Sequence, residues 1–405
     1  MNVLMISPGF PVEQPFFTRG LARQGARVIG LGDQGVDSMP EMARQALADY
    51  VRVASFSNES AILQQVQQYA RNVPIHRVES TWEPTMLLAA RLRETLGIPG
   101  MTVAETVPYR DKEVMKQILD NAGIRTPRHA ASTTKAGVRQ AVEEIGYPVC
   151  IKPIAGAGSA DTYRVNDGRE LEQVLGALGH IQEVSIEEFI EGEDFTFDTV
   201  CAQGQVGFFN MCFYRPRALD ARNHQWISPQ TVAVRDVDSP RLAAGRAMGF
   251  AVLKALGFRS GFSHMEWYLK PNGEAVFGEI GARPPGSHTV DVMNFANDFD
   301  LYDGWAETVV HDRFTVPFER KYNAISIFKR AQGEGSIRQI TGLESLLSDY
   351  GPFIAAVDLL PVGAPRRNWR QTLRSDGVIF VRHPDLGTAC EIADQVGVRL
   401  QLYAA

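Results

Sequence analysis

The stretch HMEWYLKPNGEAVFGEIGARPPG, residues 264–286, has the pattern of a β-hairpin. Asn272-Gly273 lies between two runs rich in β-forming residues. This dipeptide is a strong hairpin signal, because both residues tolerate the positive φ angles of a type I′ turn. We therefore predict a two-residue turn between two antiparallel strands.

This turn would place Glu266 directly opposite Glu279. Like charges in that arrangement destabilise a sheet, and close carboxylates raise each other's pKa unless a cation lies between them. Two interpretations follow: a solvated acidic face, or ligands for Mg²⁺, which prefers one or two carboxylates plus substrate phosphates. The other predicted pairs are Pro271 with Glu274, Leu269 with Val276, and Tyr268 with Phe277. The predicted core face carries Leu269, Val276, Met265 and Ile280, and the opposite face carries His264, Glu266, Glu279, Tyr268 and Phe277.

Composition restricts the class of protein. The chain has 405 residues, 44% of them hydrophobic and 22% charged, which is typical of a soluble protein with two or three domains. The net charge of −6 argues against nucleic acid and anionic membranes as partners. The spacing of the four cysteines fits neither a zinc site nor a disulfide framework, which favours a reducing cytoplasm. The first ten residues are predicted to be a strand rather than a signal peptide.

Alternating strands and helices in the first hundred residues predict an open parallel sheet with helices on both faces. Later segments mix helices with strands joined by short turns, so we expect a combination of α/β and α+β structure. The predicted domains are an N-terminal α/β domain over 1–105, a nucleotide-binding domain over 106–310 with a lid at about 145–205, and a C-terminal α+β domain over 311–405.

Two lysines stand out. Lys152 lies in an apolar strand and precedes a glycine-rich turn, and such a turn lets backbone N–H groups approach an anion. A plain hairpin turn is the alternative. Lys112 follows Asp111, the predicted N-cap of a helix over 109–123, where a surface lysine is the ordinary interpretation. The predicted phosphate loop contains Gly156, Gly158 and Ser159.

The segment EVSIEEFIEGEDFTFDTVC, residues 183–201, predicts a pair of strands around a short loop. Carboxylates at a strand end can accept hydrogen bonds from an amino group or a sugar hydroxyl. A solvated acidic turn is the alternative.

These pieces, taken in order, resemble the ATP-grasp family over roughly residues 1–290. The ordered set is Lys112 at a helix start, Lys152 in YPVCIKP before a glycine loop, EEFIEG, and the Glu266–Glu279 hairpin followed by Arg283. The resemblance implies an N-terminal open parallel α/β domain, a two-part ATP-binding domain with ATP between its halves, and a mixed C-terminal segment.

The resemblance also implies roles for single residues. Lys112 and Lys152 contact the ATP phosphates, and the loop with Gly156, Gly158 and Ser159 folds over them. Glu187 accepts from the adenine amino group, the chain at Glu188, Phe189 and Ile190 contacts the ring, and Asp194, or else Glu193, binds the ribose. Glu266 and Glu279 hold Mg²⁺, with Mn²⁺ as a substitute, and Arg283 reaches the transferred phosphate or the acyl substrate. Lys152 and Arg283 are the predicted catalytic residues.

One position departs from the family pattern. Many members have Asn two residues after the second metal-binding glutamate, and this chain has Gly281. A side-chain ligand is therefore missing, and water or substrate would have to replace it. A similar pattern of Glu, small residues and Arg occurs in the branch that resembles bacterial L-amino acid ligases.

The first functional hypothesis is a carboxylate–amine ligase that activates its acid as an acyl phosphate and acts on small molecules, with a homodimer left open. Arginine suits carboxylate recognition, although an exposed basic loop explains the same residues. The predicted substrate residues are Arg215, Arg217, His224, Ser287 and His288. Glu79 and Glu83 could also face the substrate, but a surface position is the favoured interpretation.

Two alternatives remain. The first is a carboxylase resembling biotin carboxylase, but Trp226 stands where those enzymes have a lysine after His-Gln, and PPGSH replaces their Gln-Val-Glu-His run. The second is a nucleotide-binding module without catalysis, which Gly281 alone supports.

Overall fold

The structure, a computed structural model, describes residues 1–154, 161–180, 182–369 and 375–405. The predicted parallel sheet is present at the N-terminus, with strand order β3-β2-β1-β4. The two central strands, β1 and β2, are almost entirely buried, as expected for a sheet with helices on both faces. The N-terminal elements are β1 (Asn2–Ile6), α1 (Gln14–Arg23), β2 (Arg27–Gly32), α2 (Glu41–Ala46), β3 (Leu47–Arg52), α3 (Glu59–Ala70), β4 (Arg77–Glu79), α4 (Met86–Leu96) and α5 (Val103–Thr106).

A small antiparallel sheet follows, with strand order β5-β8-β6-β7 and two helices packed on it. Its core is aliphatic and separate from that of the N-terminal sheet. The elements are α6 (Lys112–Asn121), β5 (His129–Ser132), α7 (Lys135–Ile145), β6 (Val149–Pro153), β7 (Tyr163–Val165), α8 (Gly168–Ala177) and β8 (Val184–Glu188).

The largest sheet has eight strands in the order β13-β12-β9-β10-β11-β14-β18-β17, and all neighbours are antiparallel. Its first strands carry the hairpin, and its last strands come from the C-terminal part of the chain. The elements between residues 193 and 311 are β9 (Glu193–Ala202), β10 (Gln205–Arg215), α9 (Ala218–Asn223), β11 (Gln230–Ala233), α10 (Ala243–Ala255), β12 (Gly261–Leu269), β13 (Ala275–Gly281), α11 (Thr289–Asn297) and α12 (Leu301–His311).

The C-terminal part extends this sheet and adds a three-stranded sheet with the order β15-β19-β16. Aliphatic residues of the last helix pack on the continuation of the large sheet. The elements are β14 (Asn323–Lys329), β15 (Gln332–Gly333), β16 (Ile337–Thr341), α13 (Leu343–Tyr350), β17 (Ile354–Leu359), β18 (Gly377–His383), α14 (Leu386–Arg399) and β19 (Gln401–Ala404).

The prediction that residues 183–201 form one strand pair is wrong. β8 belongs to the small sheet and β9 to the eight-stranded sheet. The short segment between them is therefore a crossing from one half of the molecule to the other. A local sequence pattern cannot reveal this, because each strand finds its partners far away in the chain.

The hairpin is present, but its turn and register differ from the prediction. Lys270 N–H donates to Glu274 O at 2.9 Å, so the loop has three residues, and only Gly273 adopts a positive φ, of 84°. A left-handed glycine at the end of the loop is a common feature of three-residue hairpin loops. Tyr268 therefore faces Val276, and Trp267 faces Phe277.

A β-bulge at Gly278 corrects the register before the carboxylates. The irregularity lies between Glu266 and Trp267, and beyond it Glu266 faces Glu279 as predicted. A Cβ on Gly278 would lie 2.9 Å from the Glu266 carbonyl oxygen, so the close approach requires glycine. Between the loop and the bulge, the shifted register exchanges two side chains between faces: Phe277 is in the core cluster, and Val276 is not part of it.

The helix that carries the first lysine begins later than predicted. The Asp111 carboxylate accepts hydrogen bonds from the N–H groups of Glu113 and Val114, which confirms it as the N-cap. The predicted first turn from Tyr109 is a separate 3-10 turn. No helix in the described ranges is long and apolar enough to cross a bilayer.

Candidate functional site

The two predicted lysines meet the predicted glutamates in the cleft between the two sheets. Lys112 starts helix α6, and its Nζ lies 3.3 Å from Glu279 Oε2. Lys152 comes from strand β6, and its Nζ lies 3.9 Å from the same oxygen. Residues from three distant parts of the chain therefore converge on one carboxylate.

A third lysine, which the sequence did not indicate, completes the cluster. Lys116 lies one turn after Lys112 and is fully buried. Its Nζ donates to Glu187 Oε1 at 2.7 Å, while Lys152 Nζ lies 3.0 Å from Glu187 Oε2. We call Lys112, Glu279, Lys152, Glu187 and Lys116 the charge chain, because positive and negative groups alternate along it.

The charge chain has strong effects on its members. Burial alone would raise the pKa of Glu187, but Lys116 and Lys152 outweigh it and hold that pKa far below its ordinary value. Burial would likewise raise the pKa of Glu279, and Lys112 and Lys152 lower it to about 2. For Lys116 burial dominates, and its pKa is lowered. Both carboxylates are therefore ionised at neutral pH.

The second glutamate of the hairpin has different neighbours. His264 Nε2 lies 3.6 Å from Glu266 Oε1, and the hydroxyl of Tyr214 donates to the same oxygen at 3.4 Å. Burial alone would lower the pKa of His264, but the buried Asp198, 2.6 Å from Nδ1, raises it to about 9. Glu266 thus faces a protonated imidazole on the protein side.

A narrow pocket lies beside the charge chain, at the crossing between β8 and β9. It has a volume of about 80 Å³. Phe189, Ile190 and Asp194 line it, together with Lys152 and Glu187. The resemblance implies contacts with adenine and ribose for Glu187, Phe189, Ile190 and Asp194, and a phosphate contact for Lys152.

The acidic residues of this segment separate into inner and outer groups. Glu188 lines the pocket and accepts two hydrogen bonds from Arg125 at 3.0 and 3.1 Å. Glu193 is exposed and pairs with Arg241 at 2.5 Å, so it faces away from the pocket. Between the two predicted ribose ligands, the geometry favours Asp194. The loop with Gly156, Gly158 and Ser159 lies outside the described residues.

A second, wider pocket of about 460 Å³ lies on the other side of Glu266. Glu266 and Tyr214 line both pockets, so a carboxylate and a phenol form the wall between them. Much of the wide pocket is apolar. Its described lining includes Pro11, Phe17, Trp82, Pro84, Pro216, Pro229, Pro285 and Phe328.

Arg283 joins the wide pocket to the N-terminal domain. Its Nε and Nη2 lie 2.7 and 2.6 Å from Glu83 Oε2. The other oxygen of Glu83 contacts Arg110. The favoured surface position for Glu83 is therefore wrong: this glutamate lines the wide pocket and orients Arg283. The 200-residue separation left no sequence signal for the pair.

The predicted substrate residues are not all brought together. Ser287 lines the wide pocket, and His288 lies behind it, with Nδ1 2.7 Å from Asp291. Both adopt left-handed backbone conformations, with φ values of 55° and 59°. Such strain in residues other than glycine is common at functional sites.

The other three predicted substrate residues lie elsewhere. Arg217 stacks over Phe189 and donates to Asp194 at 2.8 Å, which places it at the narrow pocket. Arg215 follows Tyr214 on strand β10, and successive strand residues point to opposite faces. Arg215 therefore lies on the face opposite to Tyr214 and pairs with Asp394 at 3.0 Å. His224 bonds to the backbone of its own helix, at Asp220 O.

The described residues hold no cluster of three or more His, Cys, Asp or Glu side chains suited to a metal ion. The facing carboxylates of Glu266 and Glu279 still fit Mg²⁺, which needs only one or two protein carboxylates when phosphates supply other ligands. Gly281 faces His264 across the hairpin and provides no side-chain ligand.

Two family models match the chain: the ATP-grasp N-terminal domain over residues 22–100 and the ATP-grasp domain over residues 109–216. The L-arginine-specific L-amino acid ligase of Bacillus subtilis is 22% identical over 305 residues, which are 73% of each chain.

Solved structures share the fold. An L-amino acid ligase from Bacillus licheniformis aligns with a TM-score of 0.78 and 20% identity, over 100% of this chain and 98% of the other. N5-carboxyaminoimidazole ribonucleotide synthetase from Thermotoga maritima aligns with a TM-score of 0.75 and 17% identity, over 100% and 99%. The predicted fold is confirmed.

Proposed function

We propose that this chain, a member of the ATP-grasp superfamily, is an ATP-dependent carboxylate–amine ligase that releases ADP and phosphate. One observation carries the proposal. The narrow pocket beside the charge chain and the wide apolar pocket share Glu266 as a wall. A nucleotide in the first and a small acid in the second would meet at that carboxylate.

The nucleotide would bind at the charge chain. Lys112 and Lys152 are buried cations that can neutralise phosphate charge. In the structure they contact the carboxylates of Glu279 and Glu187 instead. Lys116 is farther inside and contacts Glu187, so we assign it to positioning Glu187. Asp194 would accept from the ribose hydroxyls, and Glu187 would accept from the adenine amino group.

Mg²⁺ fits the pair formed by Glu266 and Glu279, and Mn²⁺ has compatible ligand preferences. When bound, the ion would neutralise charge on the phosphates during transfer. The chain's contribution is to hold two carboxylates opposite each other and to supply nearby cations. The bulge at Gly278 sets that alignment.

The acid would bind through Arg283, whose guanidinium suits a carboxylate or an acyl phosphate. Glu83 fixes the orientation of that guanidinium. In the proposed reaction a carboxylate oxygen takes the terminal phosphoryl group of ATP and ADP leaves. The amine then attacks the acyl carbon, phosphate leaves, and the amine loses a proton. The protein acts by positioning and by charge neutralisation, without a side-chain nucleophile.

The domain boundaries at about 105 and 310 stay a prediction. The end of one family match at residue 100 and the start of the next at 109 support the first boundary. The second has no such support.

The test is ADP and phosphate release from MgATP with amino acids and amines, offered singly and in pairs. The wild type is compared with Arg283→Lys and with Glu391→Gln, an exposed control on α14. Release that requires a carboxylate together with an amine, is lost in Arg283→Lys and persists in Glu391→Gln is the expected result.

Separate wells with bicarbonate, with and without biotin, test the carboxylase alternative. Release that needs bicarbonate would replace the proposal. Tight ADP binding without release in any well would favour the non-catalytic module.

A further inference from the structure

The wide pocket contains a carboxylate that the proposed reaction does not use. Glu13 lies immediately before helix α1, lines the pocket and is 8% exposed. Its Oε1 accepts a hydrogen bond of 3.3 Å from the backbone N–H of His288. Within the described ranges, no lysine, arginine or histidine side chain forms an ion pair with it.

The other two carboxylates of this pocket already face protein donors. Glu83 contacts Arg283 and Arg110, and Glu266 faces His264 and Tyr214. A largely buried carboxylate without a cation is costly, and a cationic ligand would offset that cost. Among the described acids of this pocket, Glu13 is therefore the one without a cationic partner, and a positively charged group of a ligand can fill that place.

The arrangement around Arg283 indicates which group of the ligand that is. In an α-amino acid the amino nitrogen lies only about 2.5 Å from the carboxyl carbon. A carboxylate bound at Arg283 would therefore place its own amino group close to Glu83, 2.6 Å from that guanidinium. Glu13 then remains for a second cation, on the side chain.

The walls suit a hydrocarbon stem that leads to such a cation. Phe17, Trp82 and Phe328 line the same pocket as Glu13. We infer that Glu13 binds a side-chain ammonium or guanidinium, so that the pocket selects basic amino acids as the acid substrate. This inference rests on the proposed function, because it takes the wide pocket as the acid site.

The test compares two pairs of ligands that differ in charge and little in shape: L-lysine with L-norleucine, and L-arginine with L-citrulline. Binding to the full chain is measured by calorimetry in the presence of ADP and Mg²⁺, for wild type, Glu13→Gln and the exposed control Glu391→Gln. Loss of a charge-assisted hydrogen bond should raise the Kd of lysine and arginine about 10- to 100-fold in Glu13→Gln. The Kd values of norleucine and citrulline should stay within about twofold, since neither side chain carries a positive charge that pairs with Glu13.

Equal effects on all four ligands, or none, would overturn the inference, as would failure of the wild type to bind either basic amino acid. Unchanged ADP affinity in Glu13→Gln shows that the variant is folded. The proposed function fails separately, if the wild type binds lysine yet releases no phosphate with any acid and amine.

Discussion

The substitution Lys116→Met tests the charge chain at its innermost member. Lys116 is fully buried, and Met replaces its stem with one of similar volume while removing the ammonium. Glu187 Oε1 then loses its cation at 2.7 Å and keeps only the hydrogen bond of 2.8 Å from the Ser185 hydroxyl, whereas Oε2 keeps Lys152 at 3.0 Å. One oxygen of a buried, ionised carboxylate is left without a cation.

The expected loss of stability depends on the partners that Glu187 keeps. Removing one partner of a buried ion pair costs about 3–5 kcal/mol. Because Lys152 still contacts Glu187, we expect the lower end, a loss of about 3 kcal/mol in the free energy of unfolding. The pKa of Glu187 should rise, since burial favours the neutral acid and one of two opposing lysines is gone.

The pH dependence has a defined sign. A carboxyl whose pKa is depressed in the folded state stabilises the protein above its unfolded pKa of about 4.3, and this contribution is lost as the pH falls toward the folded value. In Lys116→Met the loss should begin at a higher pH than in the wild type, because the folded pKa of Glu187 is less depressed.

The assay is urea denaturation at neutral pH and along a descending pH series, with Lys254→Met as the control. Lys254 is an exposed lysine near the end of α10, and its replacement should change stability by less than about 0.5 kcal/mol. A Lys116→Met protein as stable as that control would refute the reasoning. So would additive effects of Lys116→Met and Glu187→Gln in the double variant, because contacting residues should couple by about 0.5–3 kcal/mol.

Three further predictions concern the cleft. Glu279→Gln should abolish Mg²⁺-dependent phosphate release with an unchanged circular dichroism spectrum, and turnover near that of the wild type would contradict the metal assignment. Lys152→Ala should raise the Kd of ADP at least about tenfold in calorimetry, because a buried charge-assisted contact is lost; an unchanged Kd would rule out its phosphate role, and Lys254→Ala is the matched control. Gly278→Ala would place a Cβ 2.9 Å from the Glu266 carbonyl oxygen and should lower turnover while ADP affinity is retained, since the bulge lies beside Glu266 and Glu279, the proposed metal ligands. Equal turnover of Gly278→Ala and wild type would show that the bulge does not set the alignment.

Features that depend on near neighbours could be predicted from the sequence. The N-cap at Asp111, the parallel N-terminal sheet and the opposition of Glu266 and Glu279 all follow from short patterns. The hairpin prediction gave the correct carboxylate pair although it assumed a shorter loop and no bulge. Two one-residue changes, the longer loop and the bulge at Gly278, cancel before the strands reach the glutamates.

Features that depend on distant contacts could not be predicted. β8 and β9 are adjacent in sequence but lie in different sheets, because their partners are elsewhere in the chain. Nothing in the sequence singles out Lys116, because its burial comes from the packing of α6 against the small sheet. The contact between Glu83 and Arg283 likewise joins two domains of the proposed division.

The continuous eight-stranded sheet has a consequence for how the chain can be divided. β11 pairs with β14, so the C-terminal strands continue the sheet that carries Glu266 and Glu279. A chain cut before β14 would expose an unpaired edge of β11, the kind of edge that templates aggregation. It would also lose Phe328 from the wide pocket. The C-terminal segment is thus not a detachable module, and changes in it should alter the lining of the wide pocket and colloidal stability together.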